Sequence, residues 1–210
     1  MAVVCTGPLW RCLAGDRTGD ALARAQAGVL AWRDDLRAAV AAKVQAQLVW
    51  DETAATAVRF DLGPAGWPAL RLFAFYSERA ELEWPDTVPP LLELDPAWRE
   101  AADGKFGKSH YGQLLACRAW LPGDFPVTLR APLPDGDTAE LGSVVVLADQ
   151  LRWLNQRTFQ GDAQAIVAWR ELPAPVGGSL LDAARRGFAM LHAAAELAVA
   201  QRLPIVLHEA

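Results

Sequence analysis

The chain has 210 residues, 52% hydrophobic and 21% charged, a balance that excludes disorder and supports a sizeable core, read as one domain over residues 1–210. Its formal net charge is −5, which leaves no surplus of Lys and Arg to neutralise phosphates. Nucleic acid and anionic membranes are therefore excluded as expected partners, and a protein, particularly a basic one, or a small molecule remains.

The opening segment, MAVVCTGPLWRCLAGDR, lacks the basic stretch and long apolar run of a secretory signal. Cys5, Cys12 and Cys117 are odd in number, and the first two are not spaced as metal ligands usually are. They are read as reduced thiols. The most apolar later stretch, residues 187–200, contains His192 and Glu196 and is too short and too polar to span a bilayer. The expected location is the cytoplasm.

From Asp20 to Leu48 the apolar residues Leu22, Ala25, Val29, Trp32, Leu36, Val40, Val44 and Leu48 recur every three or four positions. This predicts a helix that would run about 40 Å. Residues 56–62, 69–76 and 79–84 are rich in β-favouring side chains and are separated by turn residues, which predicts an antiparallel meander. Further strands are expected at Leu91–Leu94 and at 126–133, the latter followed by the turn PDGD at 134–137.

After Gly142 the pattern becomes helical. Ser143 is a candidate N-cap, followed by Val144, Leu147, Leu151 and Leu154 at helical spacing. A short helix is expected near 162–170, then a break at PAPVGG. Ser179 with Asp182 marks the start of a last helix. Pro204 ends it, and PIVLHE fits a final strand. The order predicts an α+β fold: a long N-terminal helix, a central mainly antiparallel sheet and C-terminal helices.

Residues 102–109, ADGKFGKS, satisfy the loose spelling of a phosphate-binding Walker A loop, and VVVLAD at 144–149 imitates its downstream acidic strand. A working loop must follow a buried strand and open a helix. Here the preceding residues, DPAWREAAD, are helix-prone, and VVVLAD runs without a break into QLRWLNQ. The expected element is therefore a solvated glycine-containing loop. Its polar cluster, Lys105, Lys108, Ser109, His110 and Tyr111, is a candidate binding site, since loops on a rigid scaffold often carry function.

Asp182, Arg185, His192 and Glu196 share one face of the last helix. His192 and Glu196 sit one turn apart, but two ligands do not make a metal site. Asp135-Gly136-Asp137 resembles the start of a calcium loop, but Val146 stands where the bidentate Glu is required. No catalytic residue, metal or cofactor is expected.

The reading that follows is a non-catalytic, acidic, tryptophan-rich protein that binds another protein. Its expected surface joins the last helix to the loop at 105–111. A toxin-neutralising immunity protein or a secretion accessory factor has this profile. The alternative is an enzyme: a nucleotide-binding one acting through Lys108 and Ser109, or a hydrolase of unknown type.

Overall fold

The computed structural model describes residues 2–14, 17–40, 48–53, 57–171 and 179–209. In chain order the elements are β1 (Ala2–Thr6), α1 (Leu9–Ala14), α2 (Gly19–Val40), β2 (Val58–Leu62), α3 (Gly63–Tyr76), α4 (Pro96–Asp103), α5 (Gly112–Ala116), β3 (Ala119–Leu121), β4 (Leu129–Pro132), β5 (Thr138–Ser143), α6 (Val144–Leu154), α7 (Ala163–Glu171), α8 (Leu180–Gln201) and β6 (Ile205–Glu209). The fold is α+β with a long N-terminal helix and C-terminal helices around one sheet.

The sheet has six strands in the order β2-β1-β6-β3-β5-β4. Neighbouring strands run antiparallel, except that β3 and β5 are parallel. These pairings make β1, β3 and β5 co-directional, with their carboxyl ends at one edge.

Helices cover both faces. In β6, Ile205 and Leu207 enter the core under α3, α6 and α8, while Val206 between them enters the core under α1 and α2. In β3, Trp120 joins the first core and Ala119 and Leu121 the second. Strands buried on both sides read as continuous apolar runs rather than alternating ones. This is why β1, apolar except for Thr6, and β3, apolar throughout, carried no strand signal.

The meander is not formed. Residues 69–76, expected as a strand, belong to α3. Pro64 stands in its first turn, where a missing N–H costs nothing. All of 69–76 is buried except half-buried Arg71, so the segment has no polar face to reveal a helical period. Residues 79–84, also expected as a strand, form turns and open chain. Arg79 folds back there, donating from Nη1 to the Phe75 carbonyl at 2.6 Å and lying 3.7 Å over the Phe75 ring. Leu92–Leu94 is a single 3₁₀ turn instead of the expected strand at 91–94. Leu91 and Leu94 are exposed and only Leu92 is buried, so the segment leads into α4 without a ladder partner.

Other expectations hold. β4 occupies part of 126–133, and β2 part of 56–62. The Ser143 hydroxyl accepts from the Val146 amide and the Ser179 hydroxyl from the Asp182 amide, each at 3.2 Å, so both serines are N-caps. α2 buries Val29, Leu36 and Val40. The expected continuation of α2 through 41–47 and the break at 173–178 lie outside the described residues. Cys5, Cys12 and Cys117 are buried free thiols.

Gln113, buried at the start of α5, ties the crossover after β3 to the end of β5. Its Nε2 donates to the carbonyls of Phe125 (3.2 Å) and Val127 (3.3 Å), and its Oε1 accepts from the Ser143 amide at 2.7 Å. Gln113→Leu would strand all three backbone groups. The expected loss is about 2 kcal/mol, readable as a lower denaturant midpoint with an unchanged slope.

Candidate functional site

The loop after α4 is pinned from inside. Asp95 caps α4, accepting from the Trp98 amide at 2.9 Å. Lys105 and Phe106 then take positive φ values of 52° and 51°, a conformation that non-glycine residues adopt only when their surroundings enforce it. Phe106 is buried, 4.8 Å from the Trp98 ring and 6.5 Å from the Phe75 ring. With that anchor in place, Lys105, Gly107 and Lys108 stand in solvent.

Phosphate-binding loops present unpaired backbone amides. Here the amides of Lys105, Phe106, Gly107 and Ser109 donate to the carbonyls of Ala102, Ala101, Gly104 and Phe106. The carboxylate of Glu78 occupies two further donors: Ser109 Oγ donates to its Oε2 at 2.5 Å and the His110 amide to its Oε1 at 2.8 Å. The loop follows helix α4 rather than a strand. The VVVLAD segment lies within α6, where Asp149 is paired with Arg152 at 2.6 Å.

Nor does the loop assemble a nucleophile and a base. The Ser109 hydroxyl is directed to Glu78, while the His110 ring packs edge-on against Trp153 at 5.3 Å. Tyr111 is buried, and burial raises its pKa above the ordinary value. Among the described residues no three His, Cys, Asp or Glu side chains gather as a metal set.

The α8 residues occupy two places. Asp182 is part of the cap, bonded to the Ser179 hydroxyl at 2.8 Å. Arg185 lies 3.8 Å from Asp182 and 5.5 Å from the Trp169 ring centre. Farther along, Glu196 reaches His192 at 3.5 Å, and the His192 ring packs on Phe188. Burial lowers the His192 pKa below its ordinary value, and Arg170 and Arg152 oppose Glu196 in the same direction. His192 is therefore neutral at neutral pH.

What connects the loop to the stripe is α6, which packs on both α5 and α8. One flank of α6 meets the loop. Gln150 accepts from the Leu114 amide at 2.9 Å, His110 rests on Trp153, and Arg157 lies 5.9 Å over the same indole. On the other flank, Arg152 reaches the electrostatic surroundings of His192. Trp153 is 46% exposed, held by two cationic or polar neighbours rather than by the core. The loop and the stripe flank one helix with a tryptophan on its outer side.

The residues named from the sequence lie on the two flanks of α6, and Trp153 between them was not among them. The signal for Trp153 was present: it falls out of phase with Val144, Leu147, Leu151 and Leu154, all buried, so it had to face outward.

No family model, curated protein or solved structure matches the chain.

Proposed function

We propose that the chain is a non-catalytic binding protein that docks a protein partner on the α6 surface centred on Trp153. The half-exposed indole between His110 and Arg157 carries this reading. Trp and Arg dominate the energetics of protein–protein contacts because they offer a large area at little conformational cost. The loop at 105–111 and the region where Arg152 of α6 meets His192 of α8 supply a polar rim. The net charge of −5 favours a basic partner at long range.

Cytoplasmic neutralisation of a toxin, or assistance to a secretion apparatus, fits a small acidic binder of this kind. No helix among the described residues is long and apolar enough to cross a membrane, which accords with a role in solution.

The test is co-purification from the native host at low ionic strength. The wild type is expected to retain a stoichiometric protein. Trp153→Ala should lose it, with affinity reduced about thirtyfold or more, while its own unfolding midpoint changes little. Retention of the partner by the variant would contradict the proposal. Stabilisation of the protein by Mg-ATP or Mg-GTP that disappears in Lys108→Ala would instead favour the nucleotide-binding enzyme.

A further inference from the structure

The carboxyl ends of β3 and β5 open onto a cleft of about 870 Å³, on the side of the sheet where α6 begins and α8 ends. In open, mostly parallel sheets the crevice outside the strand carboxyl ends is the usual place for ligands, and β3 and β5 are the parallel pair of this sheet. The volume is sufficient for a small organic molecule.

Its lining divides by chemistry. Trp50 and Pro122 form a buried apolar floor, and Val199 adds an exposed apolar wall. Asp51, Asp124 and Arg202 stand at the rim. Asp51 uses one carboxylate oxygen, Oδ1, for both the amide and the hydroxyl of Thr53. Among the described residues neither the Asp124 nor the Arg202 side chain has a hydrogen-bond or ion-pair partner. Opposite charges thus line one cleft without neutralising each other.

We propose that this cleft binds a small zwitterion of the amino-acid class, with its ammonium group towards Asp124 and Asp51, its carboxylate on Arg202, and an apolar side chain over Trp50 and Pro122. The backbone at Arg202 supports the assignment. Arg202 terminates α8 with φ 53°, at the position where glycine is the usual residue. The chain keeps a guanidinium there despite an unfavourable backbone conformation. A guanidinium is the group that grips a carboxylate through two parallel hydrogen bonds. The cleft lies apart from the Trp153 surface, so it is independent of the protein-docking reading.

The test uses three matched probes on the full chain: L-leucine, L-leucinamide (no carboxylate) and 4-methylpentanoate (no ammonium). Thermal shift and calorimetry are expected to register L-leucine and to show at least tenfold weaker binding of the other two. Arg202→Gly should separate ligand from fold. It is expected to raise the unfolding temperature of the free protein, by removing the side chain from a left-handed position, while weakening leucine binding at least tenfold. Asp124→Asn should weaken leucine similarly. No binding of L-leucine or L-phenylalanine, equal binding of all three probes, or undiminished leucine binding by Arg202→Gly would each overturn the proposal.

Discussion

Gly187→Ala is expected to be severely destabilising for a change of one methyl group. α8 and α3 cross where Gly187 faces Gly66, and a Cβ on Gly187 would lie 2.1 Å from the Gly66 carbonyl oxygen and 2.7 Å from its carbon. These are backbone atoms, so no side chain can rotate away and one helix must shift. That crossing joins two of the helices covering one face of the sheet, and close-packed interiors do not absorb such shifts cheaply. The expected loss is about 3 kcal/mol or more, a fall of about 6–12 °C in the unfolding midpoint for a chain of this size.

Two controls bracket that effect. A Cβ on Gly66 would come no nearer than 3.3 Å to Gly187, so Gly66→Ala should cost less. Gly28, within α2, has nothing within 4 Å, and Gly28→Ala should stabilise by about 0.5–1 kcal/mol through helix propensity. Equal midpoints for Gly187→Ala and Gly28→Ala would refute the close crossing.

Glu52→Ala comes second. The side chain is buried in the layer of α1 and α2, and three donors converge on it: the Leu9 amide at 3.0 Å, the Trp10 amide at 3.4 Å and the Trp50 indole. Its own carbonyl accepts from the Trp10 indole at 2.9 Å. Glu52 thus caps α1 from 43 residues away in sequence. Truncation leaves these donors dry and unpaired, at a cost of about 3 kcal/mol. Glu52→Gln keeps one acceptor oxygen and should lose less.

The same residue gives the stability a pH dependence of defined sign. Burial raises the Glu52 pKa above the ordinary 4.5, outweighing the donors and the nearby Arg33. As pH rises past 4.5 the unfolded chain loses this proton first, and the folded state is penalised until its own carboxyl ionises. The contribution therefore falls as pH rises out of the carboxylate range. Glu52→Gln should remove that component, visible as a flatter plot of denaturant midpoint against pH.

Local chemistry made part of this fold legible. Ser143 and Ser179 announce helix starts because each can accept from the amide three positions on, and α2 has a polar face that makes its period visible. The failures arise where burial is complete. α3 has no exposed face over 69–76, and β1 and β3 contribute side chains to two cores, so neither period appears. Chains of that kind are separated only by knowing what covers them, which is tertiary information.

The candidate site divides in the same way. The clusters at 105–111 and along α8 could be named from residue type and spacing. Their common neighbour, α6, could not, because His110 and Trp153 are brought together by packing rather than by sequence distance. The Walker-like spelling at 102–109 misleads for a related reason. Spelling specifies side chains, whereas anion binding needs free amides, and the amides of Lys105, Phe106, Gly107, Ser109 and His110 are committed to the Ala102, Ala101, Gly104 and Phe106 carbonyls and to Glu78.

Site-specific photocrosslinking tests the docking claim most directly. A photoreactive residue is placed at exposed Gln156, beside the Trp153 surface, and another at exposed Arg37 on α2 across the sheet. Both proteins are irradiated in the native host. One crosslinked protein of constant mass is expected from position 156, suppressed by Trp153→Ala, and little or none from position 37. Crosslinks of equal yield from both positions, or a product at 156 that survives Trp153→Ala, would contradict it.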